Sequence, residues 1–344
     1  MILIDDICNG KKDTKFNAGF KARVDVNQIL EPQKIVFLDH SMNKNIFTRS
    51  LSFFKGFRTI KNSPKDSTFV VQYPQHIINK YSDLLYKYLK DKQTIAFIHD
   101  LNSLRYYPKE KRLHNNEAKL LNQFNVVIAH NKKMATWLQE NGCHSPIVEL
   151  EVFDYLYDQD IPPREYQYQI SFAGNLEYKK SEFLYKAIEK NPDVSFELFG
   201  IHFDQTKLTT SNFTYKGSKD PNELLQCFQS KFGLIWDGDS IETCTGDFGN
   251  YERYNNPHKL SMNIAAECPV IVWKEAAIAD FVLEHNIGIV VDSLVNLSST
   301  LHSVSDSQYE QMIKNIKTLS KKVKSGYYTK EAYEKAVNRL KATT

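Results

Sequence analysis

The sequence lacks several features that would place it in a membrane or in an oxidising compartment. No apolar run approaches the roughly 18 residues that a bilayer crossing needs. Residues 1–7 carry acids where a secretion signal needs bases, and their apolar stretch is too short. The five cysteines are scattered and form no CxxC pair, which argues against a disulfide framework and a cysteine-based zinc site. We therefore expect a cytoplasmic protein without stable membrane insertion.

Charge imbalance and the common catalytic signatures are also missing. Lys plus Arg is 44 against 41 for Asp plus Glu, and no basic stripe with interleaved aromatics appears, so we expect no nucleic-acid partner. The glycine fingerprint GxGxxG is absent after the first apolar run, which argues against a dehydrogenase. GxSxG, HExxH, the P-loop and the kinase motifs are absent too. Asp237 and Asp239 have DxD spacing but are equally compatible with turn chemistry.

The dominant pattern is a short β-rich apolar run followed by an amphipathic helical stretch. Strands predicted from this pattern span residues 1–7, 34–39, 68–72, 94–99 and 125–129, then 169–173, 194–199, 232–236, 270–273 and 287–291. Apolar strands that alternate with helices indicate parallel, doubly wound sheets. The fold class is therefore α/β.

An acidic, polar segment separates two halves of similar size. Residues 154–164 are broken by Pro162 and Pro163 and form the best linker in the chain. We expect Rossmann-like domains at 1–153 and 154–326 that face a cleft. Ligands of open α/β sheets bind at the carboxyl ends of the strands, so the loops after the strands are the candidate sites.

The segment of 236–260 is the richest in candidate residues. A long loop with three glycines leads into a helix, with Asn256 as N-cap and Pro257 at the first helical position. The helix N-terminus and the Lys259 ammonium suit a diphosphate. A capped surface helix with a solvated lysine is the alternative. The other candidates in this segment are Asp237, Asn255, His258 and Leu260.

Gly174 and Asn175 follow the first strand of the second half. Gly174 lets the backbone approach a ligand, while Lys179 and Lys180 precede Ser181, a potential helix cap. A basic pair at a helix start opposes the helix dipole unless an anion is nearby. One of the two lysines is therefore a candidate for phosphate binding, and a solvated Lys-Lys pair is the alternative.

Three further loops carry candidates. Tyr215 and the turn at Gly217 suit a base, by stacking or through the hydroxyl, although a partly buried strand tyrosine is an alternative. Thr14 and Asn17 lie in a loop of small and polar residues that can admit a sugar or an acceptor. His99 follows a strand and can bind sugar hydroxyls or act as a base, with an Asx-type turn as the alternative.

These residues resemble a known enzyme family. Pro257-x-Lys259, followed by Ala265 and by Pro-Val-Ile at 269–271, resembles the donor-binding stretch of GT-B glycosyltransferases related to family four. Gly-Asn-Leu-x-x-Lys-Lys at 174–180 resembles the basic phosphate-binding position of that family.

The resemblance extends over nearly the whole chain. Residues 98–100 resemble the histidine loop of the first domain. The run of 236–261, Gln-Tyr-Pro at 72–74, and residues 129–138 are similar to one branch of the family. That branch contains the glucosyltransferases of serine-rich-repeat adhesin glycosylation and relatives labelled galactofuranosyltransferases.

The resemblance implies a GT-B fold and transfer of glucose from UDP-glucose to N-acetylglucosamine (GlcNAc) on Ser/Thr of a serine-rich-repeat adhesin. It implies a retaining reaction without metal or other cofactor, a homo-oligomer (dimer or tetramer), and a C-terminal helix, 327–344, that packs back on the first domain. The catalytic residues would be His99, Lys259 and Asn17. The UDP-sugar would be bound by Thr14, Gly174, Asn175, Lys179, Lys180, Tyr215, Gly217, Asp237, Asn255, Asn256, Pro257, His258, Lys259 and Leu260.

Two residues depart from the family pattern. The family has a glutamate, which holds the ribose hydroxyls, where this chain has Met262, and a glycine where it has Glu267. Two alternative hypotheses for the function are a UDP-sugar 2-epimerase of the same fold and a non-catalytic GT-B subunit that stabilises a partner transferase.

Overall fold

The computed structural model of the chain describes residues 1–5, 18–38, 46–75 and 79–343. The chain divides into two compact units, one formed by Met1–Glu151 with Tyr328–Thr344 and the other by Val152–Tyr327. The sequence places the corresponding boundaries after residues 153 and 326. Because the first unit contains both chain ends, it is discontinuous in sequence.

A six-stranded parallel sheet forms the centre of the first unit. Its strands are β1 (Ile2–Asp5), β2 (Lys34–Phe37), β3 (Thr68–Tyr73), β4 (Gln93–Ile98), β5 (Val126–Ala129) and β6 (Ile147–Glu149). The strand order is β2-β1-β3-β4-β5-β6, and every pair is parallel. The central strands β3 and β4 are almost entirely buried, which agrees with their largely apolar sequences.

Helices connect these strands. They are α1 (Ala18–Ile29), α2 (Ile46–Asn62), α3 (Asn79–Leu89), α4 (Asn102–Tyr106), α5 (Lys111–Leu120) and α6 (Lys132–Glu140). The start of α6 is determined locally, because the Asn131 side chain accepts a hydrogen bond from the Met134 N–H.

The second unit repeats the architecture with a different strand order. Its strands are β7 (Tyr168–Asn175), β8 (Phe196–Ile201), β9 (Phe213–Tyr215), β10 (Ser230–Ile235), β11 (Val270–Trp273) and β12 (Gly288–Val291). They are arranged as β12-β11-β10-β7-β8-β9, again all parallel. This is the strand order of a dinucleotide-binding Rossmann sheet, in which the order of strands reverses between the first and fourth strands, here β7 and β10.

The helices of the second unit pack on this sheet. They are α7 (Glu182–Lys190), α8 (Pro221–Cys227), α9 (Gly246–Tyr251), α10 (His258–Ala265), α11 (Ala279–His285), α12 (Leu297–His302) and α13 (Asp306–Ser325), and α14 (Tyr327–Thr343) follows. None of the helices in the described part of the chain combines the length and apolarity that a membrane crossing needs.

The predicted pair of doubly wound parallel sheets is confirmed. Each sheet has a switch point where neighbouring strands continue in opposite directions across the sheet, between β1 and β3 in the first unit and between β7 and β10 in the second. Loops that leave the carboxyl ends of such strands diverge and open a crevice. Of the candidates, Gly174, Asp237 and Lys259 lie at the switch point of the second sheet, and His99 contacts Gln72 at that of the first.

Helix α10 ends in a left-handed residue that is not glycine. Glu267 has φ 58°, its N–H bonds the Ile264 carbonyl at 2.9 Å, and the Cys268 N–H bonds the Asn263 carbonyl at 2.8 Å. This Schellman pattern strongly favours glycine at the left-handed position, because a Cβ is strained there. The left-handed backbone gives a physical reason for the glycine that the resemblance implies at this position.

We expect Glu267→Gly to raise the free energy of unfolding by about 1 kcal/mol, because it removes the left-handed strain. Urea denaturation measures the change. Glu267→Ala keeps the Cβ and is the matched control, for which we expect no gain. An equal gain in both variants would mean that loss of the Glu side chain, and not relief of strain, is responsible.

Candidate functional site

Lys259 lies in the crevice of the second sheet. Its Nζ is 3.7 Å from Asp237 Oδ2 and 5.0 Å from the centroid of the Phe172 ring. A Cβ added to Gly174 would be 3.4 Å from Lys259 Cε, so the lysine stem passes beside the end of β7. Since Asp237 follows β10, the cation lies between the two strands that flank the switch point.

Close packing of α10 on the sheet holds Lys259 in this place. A Cβ on Gly233 in β10 would be 1.9 Å from Asn263 Oδ1, so only glycine permits this approach. The Asn263 amide nitrogen donates to the Lys259 carbonyl at 2.8 Å. From α13, the Ser320 hydroxyl donates to the Ala265 carbonyl at 3.2 Å. The C-terminal half of α10 is therefore held against β10 and α13, and the Asn263 bond ties the first turn of the helix to that half.

The loop after β10 is more ordered than the sequence indicates. We expect an irregular loop over 236–256, and that prediction is wrong for Gly246–Tyr251, which form α9. The Gly238 N–H bonds Asp237 Oδ1 at 2.9 Å. A Cβ on Gly249 would be 2.9 Å from the Asp237 carbonyl oxygen and 2.7 Å from the Cys244 carbonyl carbon. The short helix therefore packs directly on the residue that pairs with Lys259.

Lys180 reaches the same loop from the other side of the crevice. Its Nζ is 4.8 Å from the centroid of the Phe248 ring in α9. Lys179 is exposed. Ser181 occupies the cap position of α7, as predicted, but its hydroxyl makes no cap hydrogen bond and donates instead to the Asn175 carbonyl at 2.6 Å. Asn175 Oδ1 accepts from the Glu177 N–H, so the Asn175 side chain shapes the turn.

The start of α10 differs from the prediction by one residue. The cap position belongs to Pro257, and the helix begins at His258, so Asn256 is not the N-cap. The His258 ring stacks on Tyr155 with centroids 5.1 Å apart. Leu260 is fully buried, and its N–H donates to the Pro257 carbonyl. The Leu260 side chain and its N–H are therefore both unavailable to a ligand.

Asn255, just before this helix, carries a buried oxygen. Its Oδ1 has no hydrogen-bond partner within the described part of the chain. A buried acceptor without a partner is costly, so it suits a hydroxyl or N–H donor from a ligand. Met262, where the resemblance implies a glutamate, has a buried side chain.

Tyr215 and Gly217 are both hydrogen-bonded to Gly200, which lies near the carboxyl end of β8. The Tyr215 hydroxyl donates to the Gly200 carbonyl at 2.8 Å, and the Gly200 N–H donates to the Gly217 carbonyl at 3.1 Å. A Cβ on Gly200 would be 1.8 Å from the Gly174 oxygen. The Tyr215 hydroxyl is thus used within the protein, while the residue is 43% exposed and its ring packs on Phe203.

A buried polar network lies at the switch point of the first sheet, and the sequence did not predict it. Asp5, at the end of β1, accepts hydrogen bonds from Arg23, Asn27 and Gln72. Gln72, near the end of β3, also bonds His99, whose Nε2 is 2.6 Å from Gln72 Oε1. Of the candidates in the first unit, His99 is therefore held by this network. Thr14 and Asn17 lie outside the described residues.

Comparison with known proteins agrees with this architecture. Residues 6–152 match the N-terminal domain of the glucosyltransferase 3-like family, and residues 170–336 match its C-terminal domain. The β-1,6-galactofuranosyltransferase WbbI of Escherichia coli K12 is 30% identical over 99% of both chains. The chain belongs to the glucosyltransferase 3-like family of glycosyltransferases. Glucosyltransferase 3 of Streptococcus gordonii is 27% identical over 71% of this chain and 70% of its own.

Solved structures support the same fold at low sequence identity. Anabaena HepE, solved in complex with UDP-glucose, has a TM-score of 0.63 at 10% identity and covers 99% of both chains. The sucrose-phosphate synthase of Thermosynechococcus elongatus has a TM-score of 0.65 at 12% identity, over 100% of this chain and 99% of its own. The predicted GT-B fold is confirmed, and the chain is a glycosyltransferase.

We expect Gly249→Ala to lower glycosyl transfer at least about tenfold. The added Cβ would meet the backbone at Cys244 and Asp237, so the loop must shift, and errors near 1 Å in a site are costly. Steady-state kinetics measures the effect. Asn250→Ala, at the exposed neighbouring position of α9, is the control that should keep near-normal activity. Unchanged kinetics for Gly249→Ala would remove the loop from the site.

Proposed function

We propose that the chain transfers a sugar from a UDP-sugar bound at the carboxyl edge of the second sheet. One observation carries this proposal: the Lys259 cation lies at the switch point beside Gly174, where a diphosphate can approach backbone without a Cβ. Family membership supports transfer as the reaction. The complex of HepE with UDP-glucose shows that a protein of this fold binds such a donor.

The charge of the departing UDP is the main chemical problem. Negative charge develops on the diphosphate as the glycosidic bond breaks, and preorganised cations stabilise it. We assign this role to Lys259 and the N-terminus of α10, with Lys180 nearby. In the structure the Lys259 ammonium faces Asp237 at 3.7 Å, so it is already paired and oriented before a donor binds. With two lysines and a helix terminus in place, transfer proceeds without a metal ion.

Fewer protein contacts can be assigned to the uracil and the sugar of the donor than to its diphosphate. The exposed ring of Tyr215 offers a stacking surface for the uracil, next to the turn at Gly217. Asn255 Oδ1 is available for a hydroxyl of the donor. His99 accepts a hydrogen bond from a sugar hydroxyl. Asn17 and Thr14 keep the sugar-binding roles that the family resemblance implies.

For the substrates, we propose glucose from UDP-glucose as donor and a GlcNAc-modified Ser/Thr of a serine-rich-repeat protein as acceptor, with retention of configuration. The similarity to Glucosyltransferase 3 supports this choice. A second candidate is galactofuranosyl transfer, which the match to WbbI over 99% of both chains favours. The donor pocket described above serves either sugar, since it is built around the diphosphate.

A donor panel separates these possibilities. The purified chain is incubated with UDP-glucose, UDP-galactose, UDP-GlcNAc and UDP-galactofuranose, each with a GlcNAc-bearing peptide, and products are read by mass spectrometry. We expect a mass gain of one hexose with UDP-glucose, unchanged by EDTA, and NMR of the product gives the anomer. Conversion of a UDP-sugar without any acceptor would instead indicate an epimerase, and turnover of no donor would reject the proposal.

We expect Lys259→Ala to lower kcat/KM on the order of 100-fold or more, because a charge that stabilises the leaving group is lost. Circular dichroism should show the fold intact, since Lys259 is part-exposed at the first turn of α10. Lys231→Ala is the control, because Lys231 is an exposed lysine at the opposite, amino end of β10. Similar losses in both variants, or near-normal transfer by Lys259→Ala, would contradict the assignment.

A further inference from the structure

The network at the first switch point is organised by one buried carboxylate. Asp5 is 1% exposed and lies at the end of β1. Its Oδ1 accepts from Arg23 Nη1 at 3.0 Å, and its Oδ2 accepts from Asn27 Nδ2 at 2.9 Å and Gln72 Nε2 at 3.1 Å. An ionised carboxylate only accepts hydrogen bonds, so both amides must present nitrogen to it.

This arrangement determines which way the Gln72 amide points. Besides Asp5, its nitrogen faces two more acceptors, Asn27 Oδ1 at 2.8 Å and the Arg23 carbonyl at 3.3 Å. The opposite orientation would place the amide oxygen against three acceptors in a fully buried position. The oxygen of Gln72 therefore points the other way, toward His99, where it is 2.6 Å from Nε2.

An amide oxygen cannot donate, so the contact requires a proton on His99 Nε2. In the neutral ring the lone pair is then on Nδ1. We propose that Gln72 is a positioning residue that fixes His99 as the Nε2–H tautomer and so makes Nδ1 the basic atom of this histidine. The use of Nδ1 to accept a hydrogen bond from a sugar hydroxyl rests on the proposed function, whereas the tautomer itself does not.

Glutamine is the side chain that this position requires. It must donate at one atom, to Asp5, and accept at the other, from His99, and only an amide of this length does both. Glutamate would place a second carboxylate against Asp5. An apolar side chain would remove one of the donors to Asp5 and the donor to the Asn27 amide oxygen. Because Arg23 also donates to the Gln72 and Pro74 carbonyls, the backbone that carries Gln72 is held by the same network.

The tautomer is measured directly by NMR. The full-length protein is labelled with 15N-histidine, and two-bond proton–nitrogen correlations distinguish Nε2–H from Nδ1–H rings. His99→Gln identifies which of the ten histidine signals belongs to residue 99. We expect the Nε2–H pattern in the wild type without any donor. An Nδ1–H pattern would overturn the proposal, and the tautomer itself is measured on the unaltered protein.

The role of Gln72 is tested by Gln72→Met, which keeps the side-chain length and removes both hydrogen-bonding atoms. We expect a mixed-tautomer signal for His99 and kcat at least about fivefold lower at neutral pH, with the apparent pKa of the kcat profile shifted. Gln93→Met is the matched control: Gln93 lies at the amino end of the adjacent strand, where its Oε1 accepts from Thr68. A pure Nε2–H signal in Gln72→Met would also overturn the proposal.

The experiments distinguish an error in the predicted His99 tautomer from an error in the proposed function. If the donor panel shows no transfer, the proposed function fails, while the His99 signal still reports the tautomer. If transfer occurs but wild-type His99 carries its proton on Nδ1, the proposed function stands and the role of Gln72 is wrong.

Discussion

The approach of α10 to β10 is the constraint on which the candidate site depends. Gly233 lets Asn263 contact the strand directly, and Asn263 in turn holds the Lys259 carbonyl. This contact determines the depth at which the first turn of the helix meets the carboxyl edge of the sheet. A bulkier residue in β10 would push the helix outward and move the ammonium away from Gly174 and Asp237.

The two sheets use their switch points in different chemical ways. In the second sheet the crevice has glycine backbone, a part-exposed cation and a helix terminus, which suit a charged ligand. In the first sheet the crevice has a buried carboxylate, a guanidinium and two amides that satisfy one another. The arrangement in the second sheet leaves a cation part-exposed, as the proposed diphosphate binding requires. The arrangement in the first sheet buries its charged groups, and Gln72 connects them to His99.

The fold was more predictable from the sequence than the site. All ten strands predicted from apolar runs appear, because strands buried on both faces have an unbroken apolar signal. The helix α9 was missed because Gly246–Tyr251 contain two glycines and no apolar periodicity, and tertiary contacts stabilise it instead. The cap of α10 was misplaced by one residue, an ordinary error at helix ends.

For the site, the sequence led to candidates that follow strands or open helices, since their position in the pattern points to the carboxyl edge. This applies to Lys259, Gly174 and His99. The network around Asp5 was missed because its members are far apart in sequence and each looks unremarkable alone. Only the pairing of β1 with β3 brings Asp5 next to Gln72. The sequence also did not indicate that the Tyr215 hydroxyl bonds the Gly200 carbonyl, because such a bond depends on the turn after β8.

The membership of residues 328–344 in the first unit has a consequence for biosynthesis. Domains generally fold in the order in which they leave the ribosome. Here the second unit emerges complete while the first still lacks its last helix, whose Ala332, Ala336 and Leu340 are buried. The unit that is made first is thus the last to be finished. A nascent chain that stops short of α14 leaves uncovered the apolar surface against which these three residues pack.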